Sequence, residues 1–95
     1  MHQCETLMEK RNFTIINKLG LHARAAALFV QMAGKYEADV SVARDGEEVN
    51  GKSIMGILML AAAQGTQIEV TTSGPDAAQA MEALGQLIQN GFGEL

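Results

Sequence analysis

The 95 residues suffice for one small domain, since folding a chain of this size buries only about 60–65% of the surface it exposes when unfolded. Apolar residues form 47% of the chain and charged residues 19%, which excludes intrinsic disorder, and three Phe, one Tyr and no Trp require an aliphatic, Met-filled interior. The formal charge of −4 provides no basic field for nucleic acid or an anionic membrane surface, and the longest strongly apolar run, Ile54 to Ala63, is far short of the ~20 residues that span a bilayer.

Residues 1–11 are polar and charged, unlike a signal peptide, and read as an N-terminal tail ahead of a single domain over 12–95; a cytoplasmic location is expected. Cys4 is the only cysteine and has no internal partner, and His2 with Cys4 is too small a ligand set for a structural metal. No cofactor or metal is expected.

Beyond the tail the chain reads as strand, helix, strand, strand, helix, strand, helix, with no internal repeat. Residues 12–17 form the first predicted strand, with Phe13 and Ile15 on one face, until Asn17-Lys18-Leu19-Gly20 breaks the alternation. A helix follows from Ala23 to Ala33, with Ala25, Leu28, Phe29 and Met32 as its apolar stripe and Gly34 as a left-handed cap.

Ala38, Val40 and Val42 alternate with polar residues, and Asp45-Gly46 is a two-residue hairpin signal that returns the chain through Glu47 to Val49. Ser53 is placed to cap a second helix, in which Ile54, Ile57, Leu58 and Ala61 form a stripe that Gly65 stops. Gln67 to Thr72 alternates as the fourth strand. Asp76 then stands as N-cap of the last helix, with Gln79 three residues on, and the stripe is Ala77, Ala80, Met81, Leu84, Leu87 and Ile88.

Four half-apolar strands and three amphipathic helices each have one face to bury, which predicts a two-layer α/β (α+β) open-faced sandwich with all helices on one side of the sheet. The first crossover makes strands one and two point the same way, and the strand from Gln67 fits antiparallel between them. Periodicity alone does not establish that order.

The chemistry-bearing segment is Gly20-Leu21-His22-Ala23-Arg24-Ala25-Ala26, a histidine where a glycine-bearing loop becomes a helix. The first N–H groups of a helix have no internal partners and the dipole adds positive potential, so this end favours an anion. The same potential disfavours imidazolium and leaves a neutral ring able to attack phosphorus. Arg24 offers a planar fork of donors for phosphoryl oxygens, and the backbone N–H groups of Ala23, Arg24 and Ala25 add further donors. Spacing alone is weak support, because a lone histidine is commonly a plain surface residue.

Gly-Leu-His-Ala-Arg at a helix start resembles the active-site motif of the HPr family, the histidine phosphocarriers of the bacterial phosphotransferase system. The similarity extends over residues 12–92, through Val49-Asn50-Gly51-Lys52-Ser53-Ile54-Met55-Gly56 and Gln67-Ile68-Glu69-Val70. The resemblance implies strand order 1-4-2-3 in an antiparallel sheet. It further implies that the chain is a carrier rather than an enzyme, phosphorylated on His22, at the ring nitrogen nearer the backbone, by enzyme I with phosphate derived from phosphoenolpyruvate. An enzyme IIA domain of the sugar-transport system would receive the group.

Members of the family usually carry proline after the arginine, where this chain has Ala25. Alanine restores an N–H that could reach a phosphoryl group and gives up some stiffness of the helix start. The Lys-Ser-Ile-Met context makes Ser53 resemble the regulatory serine phosphorylated by an HPr kinase/phosphorylase, although N-capping explains Ser53 sufficiently. Leu21, Ile54, Met55 and Met59 are expected to meet partners, with a core-filling role for Met59 equally open. The expected state is a monomer without membrane insertion or nucleic acid.

Two other readings stay open. Asn17-Lys18-Leu19-Gly20 and Asn90-Gly91-Phe92 resemble the nitrogen-branch carriers, and a regulatory binding module acting through Ser53 could use the same fold. Retention of His22 with Arg24 argues against a purely regulatory role. A self-sufficient enzyme would need a nucleotide loop, metal cluster or second catalytic group, and none is visible in the sequence.

Overall fold

The computed structural model describes residues 7–94, so His2, Cys4 and most of the expected tail lie outside the described residues. Its elements are β1 (Met8–Thr14), α1 (Ala23–Ala33), β2 (Asp39–Arg44), β3 (Glu47–Asn50), α2 (Ile54–Leu60), β4 (Gln67–Ser73) and α3 (Ala77–Gln89), followed by a 3-10 turn at Gly91–Gly93. The four strands form one sheet in the order β1-β4-β2-β3, every pair antiparallel. This is the expected open-faced sandwich.

The pleat sorts the strands. Val40 and Val42 of β2 and Ile68, Val70 and Thr72 of β4 are buried, while the residues between them are exposed or half-buried. Phe13 and Ile15 join that inner face. Against it pack Ala25, Ala26, Phe29 and Ala33 of α1, Ile57 and Leu60 of α2, and Met81, Leu84 and Ile88 of α3, in one apolar cluster that Phe92 completes. The helices cover one face and leave the other to water. Asp45 (φ 52°) and Gly46 (φ 84°) make the tight turn between Arg44 and its cross-strand partner Glu47, as their sequence signalled.

Several boundaries differ from expectation. β1 begins at Met8 and ends at Thr14, where the sequence suggested 12–17. Its first half lies on the edge of the sheet, where Met8, Lys10 and Arg11 are exposed and Glu9 is half-buried, so it carries no alternation to read. In α1 the buried set is turned toward Ala26 and Ala33, whose small side chains permit close approach, and Leu28 and Met32 pack at its margin. Gly34 is right-handed (φ −67°), so the expected left-handed cap is absent.

α2 stops at Leu60 because Ala61 is left-handed (φ 51°), and Gly65 instead turns the chain into β4. Ile54 and Ala61 are exposed, and the helix is anchored by Ile57 and Leu60. A seven-residue helix has little stability of its own, so these two side chains hold it through packing. The Asp76 capping box does not form. The Asp76 carboxylate instead accepts hydrogen bonds from the N–H groups of Glu37 (2.9 Å) and Ala38 (2.8 Å), tying the approach to α3 to the approach to β2.

Candidate functional site

The loop between β1 and α1 is placed by main-chain bonds. Ile15 N–H donates to Thr66 O (2.9 Å), Gly65 N–H to Ile15 O (2.7 Å), and Leu21 N–H to Ala62 O (2.9 Å). Gly20 has φ +67°, and a Cβ there would stand 2.5 Å from Ala62 O, so only glycine permits this approach. The loop is thereby fixed to the exit of α2, and His22 is delivered to the start of α1.

His22 is the N-cap of α1, with extended backbone (φ −80°, ψ −178°). Arg24 N–H donates to Nδ1 at 3.4 Å, a long bond, and the first α-type bond of the helix runs from Ala26 N–H to His22 O (2.8 Å). The N–H groups of Ala23 and Ala25 precede that bond, as orphan donors at the positive end of the helix.

On its other side, His22 Nε2 lies 2.5 Å from Glu94 Oε2. Glu94 Oε1 accepts from Asn17 Nδ2 (2.9 Å), and the same amide nitrogen donates to Gly20 O (2.9 Å). Both partners of that nitrogen are acceptors, which fixes the orientation of the Asn17 amide. Asn17 is wholly buried, and its Oδ1 has no hydrogen-bond partner among the described residues. The Asn17 amide, and after it His22, holds the Glu94 carboxyl below the ordinary glutamate value, against the opposing effect of burial.

His22, Arg24 and Glu94 line an open cleft of about 600 Å³ together with Ile16, Lys18, Leu19 and Gln64. Leu19 is strongly exposed and Ile16 partly so. The cleft therefore combines an imidazole, two cations, the Glu94 carboxylate bonded to that imidazole and an apolar wall, a setting able to receive an anionic group presented by another surface. No group of acidic, His or Cys side chains among the described residues is arranged to hold a metal.

The other anticipated residues divide. Ser53 caps α2 through its Oγ, which accepts from Gly56 N–H (3.1 Å). Ile54, Met55 and Met59 are exposed by 44%, 69% and 65%, and Met55 and Met59 stand one turn apart on the same face. They lie outside the cleft lining. Leu21 does not belong with them: it is buried in the core beneath the loop, because its N–H bond to Ala62 turns the side chain inward. Asn17 and Glu94 were not anticipated. Asn17 had a signal, since it falls on the inward phase shared with Phe13 and Ile15, while Glu94 had none locally.

Comparison with known proteins gives a consistent answer. Residues 9–90 match the family model described as the PTS HPr component phosphorylation site. The phosphocarrier protein HPr of Neisseria meningitidis serogroup A is 55% identical over 87 residues, which cover 92% of this chain and 98% of that protein. The HPr of Cupriavidus necator is 53% identical over the same shares of both chains. A crystal structure of HPr from Thermoanaerobacter tengcongensis superposes with a TM-score of 0.89 at 45% identity, covering 92% of this chain and 98% of that one. With the sheet order, the helix-start histidine and the span of these matches in agreement, the chain belongs to the HPr family, the phosphocarrier proteins of the phosphotransferase system.

Proposed function

We propose that this chain accepts a phosphoryl group on His22 Nδ1 from enzyme I and passes it to enzyme IIA domains of the sugar phosphotransferase system. The observation that carries the reading is the placement of His22 at the start of α1, with Nδ1 turned toward the helix N-terminus and Arg24 beside it in the cleft. The Nδ1 lone pair forms the new bond to phosphorus as the bond from phosphorus to the donor atom of enzyme I breaks, its electron pair remaining with the donor. Phosphoryl oxygens then find the N–H groups of Ala23, Arg24 and Ala25 and the guanidinium of Arg24. Position and fixed charge supply the catalysis, with no cofactor.

The same reading assigns Ile54, Met55 and Met59 to contact with enzyme I and the acceptors, Met side chains being suited to several partners. It assigns Ser53 to regulation by an HPr kinase/phosphorylase, with a regulatory protein reading the modified surface. The chain acts as a cytoplasmic monomer; no helix among the described residues is long and apolar enough to cross a membrane.

The test is incubation of the full chain with cognate enzyme I and phosphoenolpyruvate, followed by mass measurement of wild type and His22→Ala. An acid-labile phosphate that requires His22 is expected, and its absence from wild type overturns the reading. A parallel incubation with cognate HPr kinase and ATP decides Ser53, with Ser53→Ala as control.

A further inference from the structure

Glu94 reaches His22 by an unusual backbone route. After α3 the chain passes through Gly91 (φ 61°), Phe92 (φ 56°) and Gly93 (φ 76°), three successive residues in the left-handed region. Phe92 is disfavoured there and is held by burial of its ring in the core, while Gly93 N–H bonds to Asn90 O and Glu94 N–H to Gly91 O. The bend sets the Glu94 carboxylate between two side chains from the β1–α1 loop, Asn17 and His22.

We propose that Glu94 is a positioning residue for phosphoryl transfer: it keeps the His22 proton on Nε2, aims the Nδ1 lone pair at incoming phosphorus, and offsets the positive charge the ring acquires. This rests on the carrier reading above. An ionised carboxylate can only accept, so Nε2 facing Glu94 must carry hydrogen; Arg24 N–H can only donate, so Nδ1 must carry the lone pair. The two contacts select one neutral tautomer. When Nδ1 bonds to phosphorus while Nε2 keeps its hydrogen, the ring becomes cationic, at a helix end that disfavours cations. Glu94 places a compensating negative charge 2.5 Å from Nε2. Asn17 completes the arrangement from beneath, since its buried amide must donate to Glu94 Oε1 and so fixes which oxygen faces the ring.

This arrangement makes a specific forecast for Glu94→Gln. Asn17 still requires an acceptor, so the new amide turns its oxygen to Asn17 and its NH₂ to His22. Nε2 must then accept, and the ring proton moves to Nδ1, the nucleophilic position. Ring ¹⁵N spectra of wild type, Glu94→Gln, Glu94→Ala and Glu94→Asp, paired with rates of phosphoryl acceptance from enzyme I, test it. Expected are the Nε2–H form in wild type, a shift toward Nδ1–H in Glu94→Gln, slower acceptance by on the order of tenfold or more in Gln and Ala, and partial recovery in Asp, with thermal unfolding nearly unchanged. Equal ring spectra and equal rates in all four proteins overturn the role of Glu94. A wild type that shows the Nε2–H form but takes no phosphate overturns the carrier reading instead.

Discussion

α1 and α2 both open on a residue whose side chain accepts from the first helical turn, yet the two caps differ in kind. Ser53 Oγ accepts from Gly56, three residues ahead, at 3.1 Å, an ordinary bond for a helix starter. His22 Nδ1 accepts from Arg24, two residues ahead, at 3.4 Å, a poor bond for a bulky ring when serine would serve better. The imidazole is also held from behind by a residue 72 positions away in the chain. A group that caps badly but is held in place from its far side is not there for the helix, and in the proposed function that contrast separates the phosphoryl-accepting start from the capping one.

The strongest way to break the contrast is His22→Ser, which puts the better cap at the reactive start. Phosphoryl acceptance is expected to vanish, while stability in urea stays within about 1 kcal/mol of wild type. Residual acid-labile phosphate in the mass spectrum would remove His22 from the centre of the site. Next in size is Met55→Glu on the exposed flank of α2, expected to reduce kcat/KM with enzyme I by about tenfold with little change in Tm. A large loss of Tm would make Met55 a packing residue.

Ala25→Pro removes one orphan N–H at the reactive end and stiffens it. A shorter phosphohistidine lifetime is expected, by a few-fold at about 1 kcal/mol per hydrogen bond, and an unchanged lifetime would show that Ala25 contributes no bond. Ser53→Ala sharpens the other side: a loss of about 1 kcal/mol in chemical denaturation is expected, and no loss would mean that the cap is dispensable.

The smallest effect is set by pH. The Glu94 carboxyl is held below its ordinary value of 4.5, so its link to Asn17 and His22 contributes fully above that value and is lost as pH falls through the lower folded value. Following the Glu94 carboxyl carbon by NMR from pH 6 downward should show a midpoint below 4.5. A midpoint at or above 4.5 would contradict the bonded arrangement. Asp76, lowered from 3.8 chiefly by the Glu37 N–H, provides a second, independent carboxylate in the same titration.

What the sequence revealed follows the range of each interaction. The Asp45-Gly46 turn, the start of α1 and the alternation of β2 and β4 are local patterns and were legible. The start of β1 was not, because Met8 to Asn12 lie on an edge where no side chain has to be buried. The end of α2 escaped because Ala61 turns left-handed to bring Ala62 O to Leu21 N–H, a demand from another part of the chain. Asp76 stands at the N-cap of α3 as its sequence suggests, but its carboxylate accepts from residues 38 and 39 positions away instead of from the first helical turn. At the site, His22 and Arg24 lie two positions apart in sequence and were found, whereas the Asn17 to Glu94 contact spans 77 positions.

The attachment of the β1–α1 loop to the exit of α2 has an evolutionary consequence. Apart from Gly20 and the side-chain amides of Asn17 and Gln64, which donate to Gly20 O (2.9 Å) and Ile16 O (3.0 Å), its fixed points are carbonyl oxygens and amide hydrogens, which every residue type but proline supplies in full. Lys18, Leu19 and Ala63 are exposed along this attachment and carry little of its geometry. Lineages can therefore rewrite these three side chains, and with them the identity presented around the histidine, while the imidazole keeps its address.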